Sequence, residues 1–60
     1  MTAKEIEAEI ANLANGEEKE LGGVRIWKKL GRWWVQKGFG GCSFHTNAKR
    51  AAIQARSLQS

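Results

Sequence analysis

Proline and tyrosine are absent from this chain of 60 residues, cysteine occurs once, and the only aromatic side chains are three Trp and two Phe. The lone Cys42 rules out an internal disulfide, and a chain without a second cysteine fits a reducing, cytoplasmic setting. No stretch approaches the ~20 consecutive apolar residues of a membrane span. The acidic amphipathic start is unlike a signal peptide, so neither membrane insertion nor export is expected. Length is scarce as well. A chain of this size buries roughly 60% of its unfolded surface, enough for one small core. Little room is left for a pocket of several hundred cubic ångströms lined by positioned acids, bases or metal ligands. A single binding module working from an open face is expected, with no enzymatic activity and no cofactor.

Acidic residues are missing from two thirds of the chain. Residues 1–20 hold all six, Glu5, Glu7, Glu9, Glu17, Glu18 and Glu20, against Lys4 and Lys19, a formal −4. Residues 21–60 hold eight bases and no acid, a formal +8. Segregation of this kind implies an acidic partner for the second segment, or an acidic arm that folds onto it.

Local signals divide the chain into an acidic helix (1–16), a linker (17–22) and a basic sheet-plus-helix unit (23–60), all within one domain. Thr2 and Glu5 have the spacing of a capping box, and Ala3, Ile6, Ile10 and Leu13 recur on one helical face, predicting a helix over 3–14 closed by Asn15-Gly16. Glu17 to Gly22 mixes charge with glycine and reads as the linker. Val24 and Ile26 then alternate with Arg25 and Trp27, and Trp33 and Val35 with Trp34 and Gln36, which predicts a hairpin. Cys42 to His45 supplies a short third strand. Thr46 is a good N-cap for a last helix over 47–58, on which Ala48, Ala51, Ala52, Ala55 and Leu58 form a flat stripe. That stripe should lie on Trp33, Val35, Ile26 and Phe44, while Ile53 is free to meet helix 1. The fold class expected is α+β: an N-terminal helix, a two- or three-stranded antiparallel sheet and a C-terminal helix packed on it.

With Val24, Ile26, Trp33 and Val35 turned toward the helix, alternation puts Arg25, Trp27, Lys29, Arg32, Trp34 and Gln36 on the opposite face. Lys37 follows in the turn, and Lys28 adds to the charge crowded into the hairpin. Cations suit phosphates and exposed Trp rings suit base stacking, so these seven, Arg25, Trp27, Lys29, Arg32, Trp34, Gln36 and Lys37, are the candidate nucleic-acid-binding residues. The plainer alternative is a solvated face on which Lys and Arg guard an exposed strand against aggregation. Lys49, Arg50 and Arg56 either extend the phosphate footprint or are the charged outer face of any solvated helix.

The order Gly23-Val24-Arg25, Gly31-Arg32-Trp33 and Phe44-x-Thr46 followed by Ala51 and Ala52 resembles the plant ethylene-response-factor type of DNA-binding domain over about residues 23–58. It is similar also to integrase arm-binding domains and to small uncharacterised phage and bacterial proteins of the same pattern. The resemblance implies a three-stranded sheet lying in the DNA major groove with a helix behind it, and places Arg25, Arg32, Trp34 and Gln36 at contact positions. This sequence departs from those families in its short Gly38–Gly41 connection and in lacking acidic residues early in the helix.

Other motifs carry less. Cys42 and His45 have the spacing of half a zinc site, but no second pair exists, so Cys42 reads as a small core residue and His45 as a surface donor. The Lys37-Gly38-Phe39-Gly40-Gly41 stretch lacks the Lys-Ser/Thr of a phosphate loop and reads as a turn. The apolar stripe Ile6, Ile10 and Leu13 needs cover, from its own sheet and helix or from a second copy in a homodimer. The partner expected is nucleic acid, DNA before RNA. The rival is a host protein bound by a phage-type inhibitor through Trp hot spots.

Overall fold

The computed structural model describes residues 1–59. The elements run α1 (Ala3–Ile10), β1 (Glu18–Leu21), β2 (Val24–Lys29), β3 (Arg32–Lys37), β4 (Ser43–His45) and α2 (Ala48–Leu58). The class is α+β, and the antiparallel sheet has four strands in the order β1-β2-β3-β4. The additional strand is β1, in the segment expected to be a linker.

Helix α1 starts where the sequence places it. The Glu5 amide donates to Thr2 Oγ1 at 3.1 Å and the Thr2 amide donates to Glu5 Oε1 at 2.8 Å, a reciprocal capping box. It ends at Ile10, short of residue 14. The Ala11 amide still donates to the Glu7 carbonyl, after which the Leu13 amide donates to the Ile10 carbonyl in a tighter turn. Leu13 is thereby buried beside Ile6 and Ile10. Asn15 and Gly16 have a different task from closing the helix. Asn15 Oδ1 accepts the Gly31 amide at 3.0 Å. Gly16 donates to the Lys28 carbonyl at 2.8 Å, and Lys28 returns a bond to Glu17 at 3.0 Å, opening the β1–β2 ladder.

Both tight turns in the sheet have positive φ at each central residue, +58° and +83° at Gly22-Gly23 and +56° and +73° at Leu30-Gly31, the pattern of two-residue type I′ hairpins. In the first, a Cβ on Gly22 would stand 2.6 Å from the Gln59 side-chain amide, which donates to the Leu21 carbonyl. Glycine there admits the end of α2.

One face of the sheet is covered. Val24, Ile26 and Val35 join Ile6, Ile10, Leu13, Ala51, Ala52 and Ala55 in one core, with Leu21, Trp33, Ala48 and Leu58 packed at its margin. The alanine stripe lets α2 lie close to β2, β3 and α1. Trp33 is half-buried, and its Nε1–H donates to the Ile10 carbonyl at 2.8 Å, so a sheet side chain satisfies the open end of α1.

Several expectations need correction. Of the two covers expected for Ile6, Ile10 and Leu13, the chain's own core supplies it, so the stripe has no surface left to offer a second copy as a homodimer. Ile53 does not meet α1's apolar face; it is about half exposed at the outer rim between the helices. Phe44 pairs with Trp34 on the uncovered face and does not lie under α2. The N-cap of α2 is Asn47, whose Oδ1 accepts the Arg50 amide at 2.8 Å, one residue after Thr46. Cys42 is exposed and outside the core.

Candidate nucleic-acid interface

Strand register assembles the uncovered face in rows. Trp27 pairs with Trp34 and Trp34 with Phe44, which puts three aromatic rings side by side across β2, β3 and β4. The Trp27 and Trp34 rings are stacked, 6.3 Å between centroids and 11° between planes, and the Phe44 ring lies 5.1 Å from Trp34. Trp34 Nε1–H donates to the Lys29 carbonyl at 3.2 Å, which fixes the central ring to the backbone.

Cations flank this row on both sides along the strands. Lys29 pairs with Arg32 beside the hairpin turn, and Arg25 pairs with Gln36 on the other side of the aromatics. The Arg32 guanidinium carbon sits 5.0 Å from the Phe44 ring centroid, a cation–π contact that leaves the exposed arginine open to solvent. Six of the seven candidate residues, Arg25, Trp27, Lys29, Arg32, Trp34 and Gln36, therefore share one face. Lys37 does not join them. It pairs with Val24, a register position of the helix-covered face, and is exposed at the end of β3. Lys28 also belongs to the covered face, its ammonium 4.4 Å from the Trp33 ring centroid.

Strand β1 brings the missed components. Glu18 pairs with Trp27 and Glu20 with Arg25, so two carboxylates line one edge of the face, and Glu18 lies 3.5 Å from Arg25 Nε. Both partners of that ion pair are more than half exposed, so it is worth little and yields readily to a competing anion. The acidic neighbour of the basic face is thus β1; helix α1 packs on the other side. The sequence carried the signal in Gly22-Gly23, a hairpin dipeptide flanked by alternating residues.

Phe39 lies in the stretch expected to be a turn. Its side chain is wholly exposed on the β3–β4 loop, where Gln36 Nε2 donates to the Gly40 carbonyl and the Gly40 amide donates to that of Lys37. With Glu20, Gly23, Arg25, Gln36 and Gly38 it lines an open groove of about 320 Å³. A second shallow groove, about 360 Å³, runs past Trp27 between Glu18, Arg25 and Lys29.

Away from this face, His45 is hydrogen-bonded to Gln54, and Gln54 Nε2 donates to Ser43 Oγ at 3.0 Å, tying β4 to α2. Among the described residues no cluster of three or more His, Cys, Asp or Glu is placed to hold a metal ion, and no helix is long and apolar enough to cross a membrane. No protein-family model, curated protein or solved structure matches the chain, so the meaning of this face rests on its own residues.

Proposed function

We propose that this chain is a small nucleic-acid-binding protein, with DNA the favoured partner, that works through the uncovered face of its sheet without catalysing a reaction. The observation that carries the reading is the row Trp27–Trp34–Phe44 with Lys29 and Arg32 on one side and Arg25 on the other. Rings give π-surface to bases while the flanking cations meet phosphates and release counterions. The aggregation-guard alternative accounts for the cations but gives no reason to keep two Trp and a Phe on the side of the sheet that no helix covers.

A salt titration tests this. Affinity for nucleic acid should fall log-linearly with salt, and Lys29→Ala or Arg32→Ala should each reduce the slope by about one. Absence of binding at low ionic strength, or affinity indifferent to salt, refutes the proposal.

A second reading, a module that grips a protein, is favoured by one observation: Phe39 and Leu30 stand fully and three-quarters exposed at the tips of successive loops. An exposed phenylalanine is a side chain enriched at protein interfaces. Leu30→Ala, at the tip given no part in holding nucleic acid, should leave nucleic-acid affinity unchanged while weakening a protein partner's binding, which separates that use from the first.

A further inference from the structure

Resting on the nucleic-acid reading, we infer that the face takes an unpaired strand and not a duplex, laying its bases on Trp27, Trp34 and Phe44 and its phosphates on Lys29, Arg32 and Arg25. The chemistry of the central row points this way. Trp34 has already given its only hydrogen-bond donor to the Lys29 carbonyl, and Phe44 has none to give. Trp27 and Trp34 are partly buried against one another and Phe44 is half-exposed, so what the row offers is the open part of its ring surface, which is suited to the face of a base and cannot read its edge. In a duplex the base faces are covered by their neighbours and only edges show in the grooves. An unpaired strand presents the faces.

Charge and size agree. A duplex carries two phosphate backbones, and β1 would set Glu18 and Glu20 against one of them. A single strand can follow β2, β3 and β4 and leave the acidic edge empty. Four strands at ~4.8 Å spacing span ~14 Å between outer backbones before any side chain is added, wider than the ~12 Å major groove. Phe39 adds a further stacking surface beside Arg25 and Gln36, where the groove of about 320 Å³ is open to one extruded base.

The test uses the full chain with three fluorescent probes of about twelve nucleotides, within the size range of single-strand sites: oligothymidylate, oligouridylate and a random-sequence DNA duplex. Anisotropy at low and moderate salt gives affinities, and circular dichroism checks that each variant is folded. At least one single strand should bind tenfold or more tightly than the duplex. Phe44→Ala, at a half-exposed position outside the core, should weaken single-strand binding about tenfold. Glu18→Gln with Glu20→Gln should raise duplex affinity and narrow the gap. Equal or tighter duplex binding overturns the inference while sparing the parent reading. So does single-strand affinity unaffected by Phe44→Ala and Trp34→Ala with the salt slope intact, since charge alone would then explain it. Binding of no probe at low salt overturns both and leaves the protein-partner reading.

Discussion

Trp33 and Trp34 are adjacent in sequence but lie on opposite faces of β3, so the same substitution at each has a different expected result. Trp33 packs at the core margin and holds the Ile10 carbonyl. Trp33→Ala should cost about 3 kcal/mol in urea denaturation, and Trp33→Phe, which keeps an aromatic ring but removes the donor, about 1 kcal/mol. Trp34→Ala, remote from the core, should destabilise far less than Trp33→Ala and show its effect in binding. Glu5 offers a pH test. The Thr2 backbone amide, followed by the Thr2 hydroxyl, holds the Glu5 carboxyl below its ordinary pKa. A depressed folded-state pKa contributes stability above the unfolded value and loses it as pH falls through the folded one. Far-ultraviolet circular dichroism should therefore show α1 weakening in acid, below the usual carboxylate range, and Glu5→Gln should reduce the pH dependence.

At the scale of elements, the two hairpin turns predict opposite outcomes. Leu30 has φ +56°, a conformation that costs an ordinary side chain about 1–2 kcal/mol and that Asn or Gly tolerates. Leu30→Asn should raise the urea midpoint by the equivalent of about 1 kcal/mol, and weakened partner binding in that variant would mark the tip as part of an interface. Gly22→Ala should do the reverse, straining the turn and displacing Gln59 from Leu21. How much could be read from sequence follows the same elements. Alternation in Val24–Lys29 and Arg32–Lys37 was enough to sort the uncovered face for six of the seven candidates, because a period of two admits only one assignment once Ile26 and Val35 are buried; it assigns Lys37 to the covered side. Strand β1 was hidden because three of its four residues are charged; its pairing is decided by the Gly22-Gly23 turn and by the ladder of β2. The side taken by Phe44 was hidden too, since the path of the glycine-rich loop decides it.

At the scale of the whole molecule, α1 is part of the single core. Removal of residues 1–16 deletes Ile6, Ile10 and Leu13 from the core and leaves Trp33 Nε1 without its acceptor, so residues 17–60 alone should be largely unfolded by circular dichroism. A folded fragment with native-like thermal cooperativity would contradict the placement of α1. The strand order has a consequence in time. Each strand pairs with the next one along the chain, two of the three connections are two-residue turns, and such local pairings close quickly because little loop entropy opposes them. The contact between α1 and α2 joins opposite ends of the chain on the one covered face of the sheet, where α2 rests on β2 and β3. The meander should therefore collapse first and α1 dock last. Core substitutions in β2 or β3 should slow refolding, whereas Ile6→Val should chiefly hasten unfolding, and amides of α1 should exchange with solvent before those of the central strands.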